Sequence, residues 1–145
     1  EVAQINNSVS RAGALRGIHF SKSPEGQKKF VSVPSGIIFD VALDLRKSSP
    51  TYLMWEGFFL SGENKRSLLI SDGIGHSFLS LADDTHVAYA CSSSYQPKFE
   101  FSIHPLEAGI DWRGVARAHG VGELNLSDRD SRAATLRQSQ QLHFP

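Results

Sequence analysis

Hydrophobic and polar residues alternate along much of this chain with a period of two. The clearest run occupies residues 36–45, GIIFDVALDL, where five apolar side chains share one face: Ile37, Phe39, Val41, Leu43 and Leu45. The other face of the same run carries Asp40 and Asp44. Successive side chains of a strand point to opposite faces, so this run predicts a strand with one strongly apolar side.

Further runs rich in β-branched and aromatic residues predict a domain built mainly from short strands. They occupy residues 28–33, 52–60, 66–70, 76–81 and 85–91. Turn-forming sequences such as SPEG, KSSP, SGEN and SDGIG separate these runs. About eight short strands joined in this way are typical of a jelly roll or β-barrel. The interior of such a fold is a natural ligand cavity.

The C-terminal region is the one part of the sequence with helical signals. Ser127 is a suitable N-cap for the segment DRDSRAATLRQSQQ, residues 128–141. Asp128 and Asp130 fall in its first turn, where the helix dipole favours negative charge. No internal repeat, low-complexity tract or linker interrupts the chain. We therefore predict a single domain over residues 1–145, all-β except for a short C-terminal helix.

Composition narrows the classes of function. The 145 residues are 40% hydrophobic, which is enough to bury a core. Fifteen Lys and Arg balance fifteen Asp and Glu, so a broad attraction to nucleic acid or to anionic membranes is not expected. Cys91 is the single cysteine, which excludes an intrachain disulfide and a thiolate metal cluster.

The sequence also bears on the cellular location of the protein. No apolar stretch approaches the roughly 20 residues that span a bilayer, and residues 1–10 lack the pattern of a signal peptide. We therefore expect a soluble, cytoplasmic protein. The chain begins at Glu1 rather than at a methionine, which predicts a processed or truncated product.

The segment ALRGIHF, residues 14–20, places two strongly polar side chains in a strand-like run. Strict alternation puts Arg16 and His19 on opposite faces, but Gly17 permits a bulge that brings both to one face. An arginine suits an anionic ligand, and a histidine titrates near neutral pH. The residues alone also fit an edge-strand arginine and a core histidine bonded to backbone, so both interpretations stay open.

Other polar positions have both a structural and a functional interpretation. Lys29 follows a second lysine, and one of the two can point inward to an anion or a carbonyl. Tyr89 lies in an apolar strand and His76 follows a glycine-rich turn, so either can be a packed core residue. A metal site is not expected, because no two of the six histidines are separated by a single residue or by a helical turn.

Several segments, taken in order, carry a resemblance to a known family. They are QINNSVS, LRGIHF, the long stretch from KKFVSV to YLMW, SGENKRSLLISDGIGHSFLSL, YACSSSYQPKFE and LSDRD. Together they run from Gln4 to Asp130 and resemble the dTDP-4-dehydrorhamnose 3,5-epimerase family. The resemblance implies a cupin-type jelly roll, an epimerase of a dTDP-4-keto-6-deoxyhexose in deoxysugar biosynthesis, and a homodimer. It implies no metal and no organic cofactor.

The resemblance also implies roles for individual residues. His19 corresponds to the catalytic base, and Asp130 to the carboxylate that pairs with it. Tyr89 corresponds to the proton donor on the other side of the sugar, and Lys29 to the lysine near the substrate's carbonyl oxygen. Tyr95 corresponds to an aromatic residue that stacks on thymine. Further positions are implied to hold the nucleotide sugar: Gln4, Asn6, Arg16, His76, Glu100 and Arg129, together with Lys29.

These roles are chemically coherent. Inverting a carbon next to a ketone requires removal of its proton by a base and return of a proton from the opposite face by an acid. A cation beside the developing enolate oxygen stabilises the charge without a metal. In this interpretation Arg16 binds the substrate and His19 acts on it.

Two departures from the family pattern affect the expectation. Family members usually carry a preceding segment of a few dozen residues with an RG-F motif, which supplies an arginine and a glutamate to the site and takes part in strand exchange. Ile18 and the SDRDSRAATL tail resemble relatives that make antibiotic deoxysugars, some of which invert one carbon only. A 3,4-ketoisomerase and a non-catalytic sugar-nucleotide-binding module stay open as alternatives.

Overall fold

The computed structural model describes residues 1–145, which form two β-sheets packed face to face. The strands are β1 (Gln4–Ser10), β2 (Ala14–Ser21), β3 (Lys29–Ser35), β4 (Ile37–Asp44), β5 (Trp55–Ser61), β6 (Ser67–Ile70), β7 (Ile74–Ser80), β8 (Thr85–Cys91), β9 (Glu100–Ser102) and β10 (Asn125–Leu126). The α-helices are α1 (Trp112–Ala118) and α2 (Asp128–Ser131). Short 3₁₀ turns occupy Pro97–Phe99, Pro105–Glu107 and Gln140–Leu142.

Strand pairing separates a smaller and a larger sheet. The smaller sheet has the order β1-β8-β3-β6, and the larger has the order β10-β2-β7-β4-β5, with β9 also pairing with β2. All neighbours are antiparallel except β10 and β2. This arrangement confirms the all-β prediction, and the strand runs read from the sequence correspond to β2–β8.

Two apolar clusters lie on opposite faces of the larger sheet. One cluster contains Val31 and Val87 of the smaller sheet with Ile38 and Phe78 of the larger, so it lies between the sheets. The other takes its strand members from the larger sheet and joins them to Trp112 and other residues of the C-terminal third. Strand β4 serves both clusters by alternation, as its period-two pattern predicts.

The C-terminal third differs from the sequence prediction. The helix predicted over 128–141 ends at Ser131, because the backbone of Ala134 pairs instead with Ile103 and accepts a hydrogen bond from the His104 amide at 2.8 Å. Helix α1 was not predicted. Its signals were an Asp111 N-cap, whose carboxylate accepts from the Gly114 amide at 2.9 Å, and a glycine shortly after its end. The short strands β9 and β10 were also missed.

The helices of this protein are short. None is long and apolar enough to cross a membrane.

Candidate active site

A bulge in β2 brings two polar side chains to one face of the larger sheet. Arg16 pairs with Phe78 and His19 pairs with His76, with a shift in register between them. Because Phe78 and His76 are two residues apart in β7, Arg16 and His19 face the same side although they are three apart. The backbone of Gly17 has φ +108°, and a Cβ atom there would lie 2.5 Å from the His76 carbonyl oxygen. The structure therefore contains the bulge that Gly17 permits.

His19 is held by a buried carboxylate from α2. Its Nε2 lies 2.7 Å from Oδ1 of Asp130, whose Oδ2 accepts a hydrogen bond from the Gly17 amide at 3.2 Å. Ser127 caps α2 and so fixes the turn that carries Asp130. Burial alone would raise the pKa of Asp130, but the hydrogen bonds from His19 and Gly17 outweigh it and hold that pKa below its usual value. Asp130 is thus an ionised acceptor at neutral pH.

The smaller sheet presents a second polar surface opposite His19. Its register aligns Gln4, Cys91 and Lys29 in one row across β1, β8 and β3. The next row on the same face contains Asn6 and Tyr89. Alternation alone places these five side chains on the inner side of the sheet, because Val31 and Val87 of the buried cluster occupy the same face.

These surfaces enclose a cavity of about 220 Å³. Its wall is predominantly polar and is formed by Gln4, Asn6, His19, Gln27, Lys29, Tyr89, Cys91, Ser93, Tyr95, Glu100 and Arg129. The His19 side chain is 36% exposed, whereas that of Asp130 is 3% exposed. The imidazole is therefore open to a ligand while its partner is shielded from solvent.

Burial tunes the two other proton-active groups of the wall. It lowers the pKa of Lys29, although the negative groups around the ammonium, Glu100 and Asp40 among them, oppose that effect. Burial also raises the pKa of Tyr89, which keeps its phenol protonated at neutral pH. The cavity thus combines a histidine held by a carboxylate, a neutral phenol and a desolvated lysine.

A larger groove of about 490 Å³ opens elsewhere, between β5 and β6. Trp55, Met54 and Leu69 are among its mostly apolar lining, and it contains neither His19 nor Tyr89. We assign the candidate active site to the smaller cavity because the titratable groups converge there.

One family matches the sequence over nearly its whole length. The sequence model of the family described as dTDP-4-dehydrorhamnose 3,5-epimerase matches residues 1–138. The chain belongs to this family.

Named relatives of the dTDP-4-dehydrorhamnose 3,5-epimerase family are about 40% identical to this chain over the aligned residues. A dTDP-4-dehydrorhamnose 3,5-epimerase of Mycolicibacterium smegmatis is 43% identical over 140 residues, which are 97% of this chain and 67% of the relative. A dTDP-4-dehydro-6-deoxyglucose 3-epimerase of Streptomyces bikiniensis is 41% identical over 141 residues, covering 97% and 70%. The chain therefore spans about two thirds of the length of its curated relatives.

Solved structures of the family share the fold. A Mycobacterium tuberculosis epimerase superposes with a TM-score of 0.90 at 38% identity, covering 97% of this chain and 70% of that one. A 3′-monoepimerase from Streptomyces bikiniensis, in complex with dTDP-quinovose, gives a TM-score of 0.87 at 40% identity, covering 97% and 69%. The cupin-type jelly roll implied by the sequence is confirmed.

Most positions that the family resemblance singled out meet at the cavity, but three do not form its wall. Asp130 lies behind His19, and its role would be exerted through that ring. His76 is buried and its Nε2 lies 2.6 Å from Oδ1 of Asp40. Arg16 is exposed on the same face of β2 as His19, and its Nε donates to the Ser10 hydroxyl at 3.3 Å. Substrate contacts by Arg16 and His76 stay predictions.

Sequence reasoning missed three residues of the wall. They are Gln27, Cys91 and Ser93, and Gln27 donates from Nε2 to the Ser93 hydroxyl at 3.3 Å. A signal was present for Cys91, which follows Tyr89 by two residues in the same strand. Within a strand that spacing keeps side chains on one face.

Metal ligands do not cluster in the structure. No three His, Cys, Asp or Glu side chains come together as a candidate metal-binding group.

Proposed function

We propose that this protein is a cofactor-independent epimerase that inverts C3, C5 or both of a dTDP-4-keto-6-deoxyhexose in deoxysugar biosynthesis. The observation that carries the proposal is the convergence of the His19–Asp130 pair, Tyr89 and Lys29 on one cavity. Base, acid and cation are the three groups that a proton transfer next to a ketone requires.

In this proposal His19 removes the proton from the carbon next to the ketone. The ionised Asp130 can only accept a hydrogen bond, so Nε2 of His19 carries the ring proton. Nδ1 is then the nitrogen with a free lone pair, and it is the atom that takes the substrate proton. The imidazolium that forms is stabilised by the adjacent carboxylate until the proton is released.

Tyr89 supplies the proton that completes the inversion. It belongs to the smaller sheet, whereas His19 belongs to the larger sheet, so a sugar ring between the sheets has one group on each side. The raised pKa of Tyr89 favours the protonated phenol that an acid needs. Because acid and base act from opposite faces, the returning hydrogen has the inverted configuration.

Lys29 stabilises the enolate oxygen that develops between the two proton transfers. It extends from β3 in the same wall as Tyr89, where burial leaves few water molecules to reorganise during the reaction. The enolate is neutralised electrostatically, which is why the proposal needs neither a metal nor an organic cofactor.

The remaining wall residues are proposed to hold the nucleotide sugar. Gln4, Asn6, Glu100 and Arg129 provide amide, carboxylate and guanidinium groups for the sugar and the diphosphate. Tyr95 is 53% exposed, and its backbone amide donates to Oε1 of Gln4 at 2.7 Å, which fixes an accessible aromatic ring suited to stacking on a base.

Solved relatives support the substrate class. Structures of family members have been determined with dTDP, with dTDP-quinovose and, for the Legionella pneumophila enzyme, with dTDP-4-keto-L-rhamnose. The Streptomyces bikiniensis structure with dTDP is a double mutant in which one histidine and one tyrosine are replaced. The separation of those two positions along its chain equals that of His19 and Tyr89 here.

The number of inverted centres is the open part of this proposal, because the relatives include both 3,5-epimerases and 3-epimerases. We expect inversion at both carbons, since His19, Lys29, Tyr89 and Asp130 are all present. The experiment is incubation with dTDP-4-keto-6-deoxyglucose in D₂O, followed by reduction and mass spectrometry with positional assignment. Deuterium at C3 and C5 is the expected result, and label at one carbon identifies a mono-epimerase. A shifted carbonyl identifies a ketoisomerase, and binding without label identifies a non-catalytic module.

The assembly state that we propose is a homodimer. Three exposed apolar side chains lie in register across the outer face of the smaller sheet: Ile5, Phe30 and Leu69, which are 67%, 50% and 64% exposed. An apolar row of this kind favours contact with another protein surface. The single-domain organisation and the cytoplasmic location expected from the sequence stay predictions.

A further inference from the structure

At one edge of the buried cluster between the two sheets, the next side chain on the inner face of several strands is polar or charged. Lys29 precedes Val31 by two residues, and Asp40 follows Ile38 by two. Val31 and Ile38 belong to the same buried cluster, so Lys29 and Asp40 extend from its edge on the inner faces of opposite sheets. His76 likewise precedes Phe78 of that cluster by two residues, so its side chain lies on the same face.

Only one of the two carboxylate oxygens of Asp40 has a hydrogen-bond partner. The residue is fully buried, and His76 Nε2 lies 2.6 Å from its Oδ1. Its second oxygen, Oδ2, is buried and has no hydrogen-bond partner. An unpartnered buried carboxylate oxygen costs free energy, so its retention in the interior calls for a reason beyond packing.

Lys29 is a cation that likewise lacks a direct partner. Its ammonium forms no ion pair within 4.0 Å, and no side chain accepts a hydrogen bond from it. The carboxylates whose charge acts on it across the interior are Glu100 and Asp40, whereas burial raises the pKa of the Cys91 thiol and keeps that group neutral at neutral pH. The other titratable or charged side chains in the wall around it are His19, Tyr89 and Arg129. Of the two carboxylates, Asp40 alone lies outside the cavity wall, where no substrate would contact it.

We propose that Asp40 is a positioning residue for Lys29: His76 fixes one carboxylate oxygen, and the unpaired charge of the other keeps the lysine ammonium charged at the cavity. This inference rests on the proposed function in one respect, that a charged Lys29 stabilises the enolate. The electrostatic relation itself does not depend on any substrate. No proton is exchanged between the two side chains, and Lys29 stays an ammonium throughout the reaction.

The direct test is a titration of Lys29 in the free protein. Lysine ¹³Cε chemical shifts are followed with pH in the wild type and in Asp40→Asn, and the Lys29 signal is assigned by its loss in Lys29→Met. The introduced amide keeps the volume of the carboxylate and can still accept from His76, so only the charge is removed. We expect a lower Lys29 pKa in Asp40→Asn. An unchanged Lys29 pKa would overturn the proposal, whatever reaction the protein catalyses.

A matched control removes the same charge at a distance. Asp111 caps α1, and asparagine is an equally good N-cap, so Asp111→Asn should leave the Lys29 pKa at its wild-type value. A shift of equal size in both variants would show a general effect of net charge and would contradict a specific role for Asp40.

Activity gives a second readout that a purely structural role would not move. If epimerisation needs the Lys29 ammonium, the rate falls as pH rises through the Lys29 pKa. The alkaline limb of the kcat profile should therefore lie at lower pH in Asp40→Asn than in the wild type, while Asp111→Asn keeps the wild-type limb. A uniform loss of rate with an unmoved limb would contradict the proposal.

A folding defect in Asp40→Asn can be resolved by a double variant. If the uncompensated lysine charge is the cause, Lys29→Met/Asp40→Asn should fold again, as monitored by circular dichroism. If the double variant is also unfolded, Asp40 serves only to hold His76, and the proposal is wrong.

Discussion

Tyr95 and His19 both line the cavity, but their surroundings suit them to different roles. Its ring is more than half exposed, while its backbone amide is anchored to Gln4. Its side chain therefore contributes little to folding and is available to a ligand. His19, in contrast, is fixed through Asp130, and we expect a change at that pair to alter chemistry more than binding.

Replacement of Tyr95 should weaken nucleotide binding selectively. We expect Tyr95→Ala to lower the affinity for dTDP by about 1–3 kcal/mol, because the stacking surface for the base is removed. Calorimetric titration with dTDP measures this, and the melting temperature should change little. An unchanged dissociation constant would contradict the proposed position of the base.

At the level of elements, the bulge in β2 determines the geometry of the site. Without the register shift at Gly17, the strand would direct Arg16 and His19 to opposite faces. The bulge also places the Gly17 amide within reach of Asp130, so one irregularity serves both the histidine and its partner.

An added methyl group at the bulge should damage both stability and catalysis. In Gly17→Ala the new Cβ would approach the His76 carbonyl oxygen and the Ser77 backbone, at a φ that L-residues rarely adopt. We expect a loss of about 1–3 kcal/mol in the free energy of unfolding, measured by urea denaturation. Gly122→Ala is a suitable control, since nothing lies within 4 Å of its Cβ position. Equal stability of the two variants would show that the β2 backbone relaxes freely.

The turn after β4 is held together by the carboxylate of one residue. Asp44 is buried and accepts hydrogen bonds from Arg46, Ser49 and Thr51. The bond from the Arg46 guanidinium is the main reason why the pKa of Asp44 is far below that of an ordinary carboxyl group. The unfolded chain therefore binds this proton more readily than the folded chain does.

This difference predicts how stability responds to acid. The contribution of Asp44 is fully present above the ordinary carboxyl pKa of about 4 and is lost as pH falls below it towards the lower folded pKa. We expect Asp44→Asn to cost about 1.5–3 kcal/mol at pH 7 and to reduce the steepness of acid destabilisation. Urea denaturation between pH 7 and pH 3 measures both effects. A constant stability difference across that range would contradict this account.

The sequence predicted most of the strands and much of the cavity wall for identifiable reasons. Alternation, β-branched and aromatic runs and turn sequences located β2–β8, because these signals depend on local sequence and on burial of a strand face. The sequence could not predict the path of the chain after Ser131. The pairing of Ala134 with Ile103 is a tertiary contact that overrides helix propensity. Alternation put Asp40 on the face of β4 opposite the strongly apolar one, but the burial of that second face and the pairing of Asp40 with His76 could be seen only in the packed sheets.

At the scale of the whole molecule, the two faces of the smaller sheet have different tasks. The inner face carries the polar wall of the cavity, and the outer face carries the exposed row of Ile5, Phe30 and Leu69. A sheet buried on both sides would fit the homodimer that we propose. The cavity opens between the sheets, so contact through the outer face leaves it accessible.

A charge in the apolar row should shift the assembly state. Sedimentation velocity should give a dimer for the wild type and a larger monomer fraction for Phe30→Glu, because a buried unpaired carboxylate opposes association. Arg66→Glu, at an exposed position just before β6, is a control that should stay dimeric. A monomeric wild type would contradict the dimer but would leave the chemistry of the cavity untouched.

In the proposed reaction His19, oriented by Asp130, removes a proton from a carbon next to the substrate ketone. The most direct measurement is the rate at which solvent deuterium enters dTDP-4-keto-6-deoxyglucose with His19→Asn, compared with the wild type and with His86→Asn, an exposed histidine of β8. We predict a loss of about 10²–10⁴-fold in His19→Asn, a smaller loss in Asp130→Asn, and none in His86→Asn, with dTDP binding retained in all three. Wild-type exchange in His19→Asn would contradict the account.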